Sequence, residues 1–319
     1  LRGEVHTRGV IRYARAMANA KSNAARKNGK RAPRKAVKQP HVNELYEASV
    51  QEPEAEFDFL AQVWKERVTR TPAGKGRALL SVREDFAATA LNSAFWVNSG
   101  AKAKQQRTAI AVDFDPSMIR DGHARAARSV AAEHRQRLTL VESDVRDEKL
   151  LKLPKVDAVL ALNFSYWVFH TRKEMLDYFT KVRRAVKPGG LFVLDFFGGS
   201  DAHREIQERR RYRRFGGYTY VWDQESYNPV TGAYVCKIHF ELKKPRKKWI
   251  GDAFTYHWRL WGLAELLEIL RDAGFEDVAV YSEKEDRAGE GTGFYRRVTK
   301  LPADRSYLCY LVGGVGGGR

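Results

Sequence analysis

The sequence predicts an α/β protein built on a seven-stranded, mostly parallel sheet with helices on both faces. Three observations predict it. From residue 79 to residue 312, short apolar runs alternate with helix-length segments. Those runs are close to continuously apolar, as strands buried on both faces must be. Acidic or polar residues recur just past the carboxyl ends of the first four runs, the side on which open α/β sheets bind ligands.

The chain enters through a basic extension, residues 1–42. Its first 40 residues hold 12 Lys/Arg against one acid, Glu4, whereas the whole 319-residue chain has a formal net charge of +18. A segment of this composition cannot bury enough apolar surface to order itself. A polyanionic holder, RNA, is therefore expected, with Arg12, Arg15, Arg26, Lys27, Arg31, Arg34 and Lys35 as phosphate contacts. An Arg-rich start without Met also suits an organellar presequence. Asn43 is expected to cap a helix that Pro53 ends, and Phe57, Leu60, Val63 and Trp64 fall at helical spacing in a second. These two helices are read as packing elements, the polar side of the second being available as a lid.

Strands are then expected at residues 79–82, 108–113, 137–141, 156–163 and 191–196, with a helix over 173–186 before the fifth, and at 278–281 and 307–312. The first strand leads through a turn into a helix carrying Leu91, Phe95 and Trp96 on one side. Such a strand–turn–helix seats a nucleotide-like cofactor at the helix N-terminus. Asp85 follows the first strand and Asp113 closes the second, where a carboxylate can accept both ribose hydroxyls. Asp144 follows the third, placed for an adenine amino group, and Asn163-Phe164-Ser165-Tyr166-Trp167 follows the fourth. Taken singly, each acid reads as a solvated or capping residue; their recurrence at one sheet end raises them to a site. Tyr166, Trp167, His170, Tyr256 and His257 are near the reacting group only by inference, and core packing is the favoured reading of each. Cys236 and Cys309 have no metal-ligand spacing and read as reduced core thiols. No run approaches the ~18 apolar residues that cross a bilayer.

The order VDFDP (112–116), ESDV (142–145), NFSYWVF (163–169) and VKPGGLFVLDF (186–196) resembles class I S-adenosylmethionine-dependent methyltransferases. It is closer to a bacterial-type subgroup with the first motif REDFCGTA, which reads REDFAATA at residues 83–90 here. The likeness spans about residues 44–312, taking in YEASVQ (46–51), YVWDQESYNPVTG (220–232) and FTYHWRLW (254–261). It implies a Rossmann-like sheet with a reversed last strand, and an antiparallel insertion over residues 217–258. It also implies an S-adenosylmethionine pocket formed by Asp85, Phe86, Ala87, Ala88, Asp113, Phe114, Asp144, Val145, Asn163 and Phe164. Where the resemblance calls for Cys-Gly, this chain has Ala87-Ala88. A methyl group is unfavourable in a left-handed turn and takes up cofactor space, so weakened or lost cofactor binding is expected.

Two further basic zones stand apart from the extension. HREIQERRRYRRF (203–215) is read as a helix with Arg204, Arg211 and Arg214 on one side and Glu205 and Glu208 pairing locally. Its Arg209, Arg210, Arg211, Arg213 and Arg214, beside Tyr212, suit phosphate contact with an aromatic to stack. Lys243, Lys244, Arg246, Lys247 and Lys248 form a basic loop. The favoured expectation is a methyltransferase-fold component of a large ribonucleoprotein, a mitochondrial ribosome or its precursor in the matrix, holding ribosomal RNA and assembly proteins. The alternative is an active S-adenosylmethionine-dependent methyltransferase acting on RNA or an RNA-bound protein.

Overall fold

The structure, a computed structural model, describes residues 39–70, 74–244 and 246–316. The first 38 residues, and with them Arg12, Arg15, Arg26, Lys27, Arg31, Arg34 and Lys35, lie outside the described residues. The chain opens on α1 (Val42–Val50) and α2 (Pro53–Trp64). His41, not Asn43, caps α1: its ring accepts from Asn43 N, while the Glu44 carboxylate takes the His41 amide. Pro53 does not end α1 but starts α2, where its missing N–H costs no hydrogen bond.

Eight strands, not seven, form the large sheet. They are β1 (Ser81–Asp85), β2 (Thr108–Asp113), β3 (Leu138–Glu142), β4 (Val156–Ala161), β5 (Val186–Gly198), β10 (Glu276–Glu285), β11 (Gly291–Val298) and β12 (Tyr307–Gly314). Their order across the sheet is β11-β10-β12-β5-β4-β1-β2-β3. The five from β1 to β5 pair in parallel, while β12 runs antiparallel to both β5 and β10. The added strand, β11, hairpins back antiparallel on β10. Crossovers are made by α3 (Leu91–Lys102), α4 (Pro116–Ser129), α5 (Arg172–Ala185) and α6 (Leu263–Asp272). Side chains alternate along each strand. Val159, Ala161, Phe192 and Leu194 therefore face one core with α5 and α6, and Ala158, Leu160, Leu191 and Val193 face another with α2 and α3. On α3 the packed side is Asn92, Ser93, Ala94, Trp96 and Val97, while Leu91 and Phe95 are only half-buried.

β1 begins later than the apolar pair Leu79-Leu80 suggests. Asp157 explains the shift: its carboxylate accepts from Leu80 N (3.1 Å), Ser81 N (2.9 Å) and Ser81 Oγ (2.8 Å), tying off that end. At the KPGG turn Gly189 is left-handed (φ +71°), and a Cβ on Gly190 would lie 2.6 Å from Asp157 O. Only glycine suits both places.

The insertion is a four-stranded antiparallel sheet of β6 (Ile206–Tyr212), β7 (Tyr218–Tyr227), β8 (Ala233–Leu242) and β9 (Lys248–Arg259). The helix expected over 203–215 is thus an edge strand, with Glu208, Arg210 and Tyr212 turned inward and Arg209 and Arg211 outward. Its charges mask the period-two pattern, because Glu208 pairs with Arg210 (3.4 Å) across the inner face instead of along a helix. α1 bridges the two sheets. Ser49 Oγ meets Tyr218 OH at 2.9 Å, Thr89 Oγ1 donates to Glu47 at 2.5 Å, and Arg125 pairs with Glu47. No helix among the described residues is long and apolar enough to cross a membrane.

Candidate functional site

The turn after β1 has an unusual backbone. Phe86 (φ 59°), Ala88 (φ 46°) and Ala90 (φ 55°) are all left-handed, at alternate positions where glycine would be unstrained. Each non-glycine residue there costs on the order of 1 kcal/mol. The conformation is held from β2, with Ala87 N donating to Val112 O (2.9 Å) and Ala88 N to the Asp113 carboxylate (2.8 Å), and is closed within the turn by Ala90 N on Ala87 O (2.8 Å). Ala87 and Ala90 are fully buried in a cluster with Ala111.

Asp113 ends β2 with its Oδ2 on Ala88 N and its Oδ1 on Asp115 N (2.9 Å). The Phe114 amide also bonds this carboxylate, so of its roughly four acceptor directions about one is left. Burial pushes its pKa up. Phe114, next in sequence, is 73% exposed, a large ring face held open beside that carboxylate. Asp85 is placed differently. Both its oxygens take Arg83 (2.6 and 3.0 Å), Tyr178 OH adds a third bond at 2.9 Å, and the group is buried under α5. Asp144 is exposed and bound bidentately by Arg146, which holds its carboxyl below the usual range, while Val145 is buried beside it.

At the end of β4, Asn163 (φ 59°) and Phe164 (φ 56°) form a second left-handed corner. Asp195 on β5 fixes it, accepting Asn163 N at 2.6 Å and Phe164 N at 3.0 Å. Asn163 and Phe164 line a pocket of about 70 Å³ with Tyr46 of α1, Phe197, and Tyr220, Trp222, Tyr256 and Trp258 of the small sheet. Tyr166 and Trp167 are fully buried core residues, and the exposed His170 is bound to the His257 carbonyl (2.9 Å). Tyr256 alone of the five inferred neighbours lines the pocket. The pocket's walls could not be read from sequence, since they come from α1, the corner after β4 and six strands of the two sheets. Among the described residues no group of His, Cys, Asp and Glu could hold a metal ion.

Residues 73–192 match a family described as a methyltransferase domain. The fold is that of S-adenosylmethionine-dependent methyltransferases of known structure. One, from Clostridium acetobutylicum, is 13% identical, with a TM-score of 0.58 over 86% of this chain and 98% of its own. The amino pentose methyltransferase CalS10 of Micromonospora echinaspora, solved with its cofactor bound, is 13% identical at TM-score 0.59, over 86% and 97% of the chains. The sugar N-methyltransferase KedS8 of a Streptoalloteichus species is 16% identical at 0.57, over 92% and 100%. No curated protein matches the sequence significantly. The chain has a methyltransferase fold.

Within this methyltransferase fold the described basic zones meet. Lys243 N donates to Gly217 O (3.0 Å), so the turn after β6 and the turn after β8 share one end of the small sheet. Arg213, Arg214, Lys243, Lys244, Arg246, Lys247 and Lys248 are all exposed there, beside Trp249 at 52% exposure. Arg209 is exposed and pairs with Glu241 (2.8 Å), and Arg211 is exposed on the same strand. Arg210 instead turns toward the aromatic pocket, its guanidinium 5.8 Å from the Tyr220 ring.

A buried carboxyl on β1 makes stability pH-dependent. Burial pushes Glu84, which accepts Ser93 N and Oγ, up to about 7, above its ordinary 4.5. The folded state therefore keeps a proton that the unfolded chain has lost. The stabilisation is complete below about pH 4.5 and is lost as pH rises toward 7. Glu84→Gln keeps an oxygen for both donors and cannot ionise. Its thermal melts should show a smaller loss of stability between pH 5 and 7.5, by on the order of 2 kcal/mol. Equal slopes for variant and parent would refute the assignment.

Proposed function

We propose that the chain is an S-adenosylmethionine-dependent methyltransferase acting on RNA or on a protein held on RNA. The observation that carries this reading is Asp113. Its carboxylate is steered by the amides of Ala88, Asp115 and Phe114, with about one acceptor direction left over and the open Phe114 ring next in sequence. A carboxylate acceptor beside an open ring suits a ribose hydroxyl and a flat base. The backbone at residues 86–90 keeps a left-handed course without glycine, so the methyls narrow the cradle but leave its path in place.

S-adenosylmethionine supplies an electrophilic methyl group on a sulfonium. Asp113 would hold a ribose hydroxyl, Phe114 the adenine face, and the corner at Asn163 and Phe164 the end nearest the acceptor. The aromatic pocket orients the acceptor and excludes water; positioning is the main requirement for such a transfer. Among the described residues no carboxylate or imidazole lines that pocket. Burial pushes the pKa of Tyr46, Tyr220 and Tyr256 up, so their hydroxyls stay protonated and act as hydrogen-bonding groups, not bases. The basic end of the small sheet would meet phosphates. The proposed setting, the mitochondrial matrix and a ribosome or its precursor, rests on the basic first 40 residues.

Calorimetric titration with S-adenosylmethionine tests the reading. The expected result is micromolar affinity, weakened about tenfold to a hundredfold in Asp113→Ala, the loss of a charged hydrogen bond. Absence of binding would instead favour a non-catalytic component of a ribonucleoprotein, the outcome to which the strained Ala88 and Ala90 point.

A further inference from the structure

Trp249 stands on β9, at one edge of the small sheet, and is 52% exposed. Its ring is stacked on His239 of β8, with ring centroids 5.1 Å apart and the planes at 25°. His239 is itself fixed. It is 5% exposed, and its Nδ1 accepts from Asp252 N (2.8 Å), which leaves Nε2 to donate to Asp223 (3.2 Å). Gly251 leaves the ring room, because a Cβ there would lie 2.7 Å from the indole Nε1. One face of the indole is therefore covered by the imidazole and the other is held open. Cross-strand pairing sets Trp249 in one row with Glu241, Thr219 and Arg211, and paired residues share a face. The row crosses three strand spacings, about 14 Å. Its acid, Glu241, is taken by Arg209 at 2.8 Å. The seven exposed cations of the two neighbouring turns differ: among the described residues none of them has an ion-pair partner.

A fixed ring with one open face takes a flat partner by stacking. Uncompensated cations around it take phosphates, with release of counterions. Single-stranded nucleic acid brings both, because its bases can leave the strand's own stack, whereas a duplex keeps its base faces covered. An anionic membrane surface also attracts cations, but an indole laid flat on an imidazole does not project into acyl chains. We infer that this face binds single-stranded RNA, with one base stacked on Trp249 and the flanking phosphates on Arg211 and the lysines between residues 243 and 248; that the strand is RNA rests on the proposed function.

The test is fluorescence anisotropy of the full chain with a labelled oligoadenylate of about twelve nucleotides and, separately, an RNA duplex of the same length, in about 150 mM salt. The parent should bind the oligoadenylate with a Kd of about 10 μM or tighter. Trp249→Ala should weaken that binding about tenfold, the loss of one stacked base, and Trp249→Phe, which keeps a ring, about threefold or less. Both variants should bind the duplex within about twofold of the parent. Lys243→Ala, Lys244→Ala, Lys247→Ala and Lys248→Ala together should lower the slope of log K against log salt by about 2–3. The basic first 40 residues are common to every variant, so the differences belong to this face. Trp249 and the four lysines are exposed, so the fold should tolerate the changes. Should Trp249→Ala fail to fold, the lysine variant carries the test. Oligoadenylate binding unchanged in Trp249→Ala, an equal loss on the duplex, an unchanged salt slope, or a parent that binds phosphatidylserine vesicles but not the oligonucleotide overturns the inference. No S-adenosylmethionine is used, so failure here leaves the proposed methyl transfer standing.

Discussion

Arg83→Met is expected to destabilise the fold by about 3–5 kcal/mol in urea unfolding, the range for removing one partner of a buried ion pair. Arg83 and Asp85 sit two apart on β1 and so share a face, the one that packs beneath α5. Their side chains are 3% and 0% exposed. Without Arg83, Asp85 would keep Tyr178 OH alone for a charge that burial makes costly. The double variant Arg83→Met, Asp85→Leu should recover most of the loss, since a well-packed apolar pair often matches a buried ionic one. Tyr178→Phe should cost only about 1 kcal/mol. If Arg83→Met unfolds within about 1 kcal/mol of the parent, the pair does not anchor the strand. The consequence for the site is direct, because the next residue after Asp85 is the first left-handed position of the turn.

That pair also shows why parts of the chain are legible in sequence and others are not. β2 and the pairing partners of β5 are written as apolar runs, and a run buried on both faces can be little else. β1 spends three of its five residues on Arg83, Glu84 and Asp85, which a pattern of burial assigns to a loop. Their neutralisation by Tyr178 and Ser93 depends on residues far along the chain or on the next helix. β6 reads as a helix for the same reason, its inner face carrying Glu208 and Arg210. β11 is an exposed edge, so burial leaves no pattern in its sequence. The site divides in the same way. The strand-end acids are visible, but not that Asp85 is taken up by Arg83 and Tyr178 while Asp113 is tied to the amides of the two turns beside it. The strain expected from alanine in the turn falls on Ala88, which is left-handed. Phe86 and Ala90 share that strain without any sign in the sequence, because a backbone angle leaves no mark where the glycines are gone.

Asp195→Ala is the second change expected to have a large effect, at about 2–4 kcal/mol, the cost of leaving two buried amides without an acceptor. The residue is 2% exposed and stands on β5, beside β4, so it reaches across to the corner that β4 ends in. Asn163 N and Phe164 N converge on its two oxygens because both residues are left-handed, which turns successive N–H groups inward like a nest. Burial pushes its pKa up to about 7, so near neutral pH it is partly protonated and still presents a carbonyl oxygen. Asp195→Asn retains one acceptor and should lose about half as much as alanine. Released from Asp195, the strained corner has no reason to hold its angles, and Phe164 would leave the wall of the aromatic pocket. In both variants, tryptophan fluorescence should shift as Trp167 and Trp258, which pack on Phe164 at 5.3 and 6.5 Å, change surroundings. A stable Asp195→Ala protein with unshifted fluorescence would mean that packing alone keeps the corner, and that the acceptor pocket owes nothing to this carboxylate.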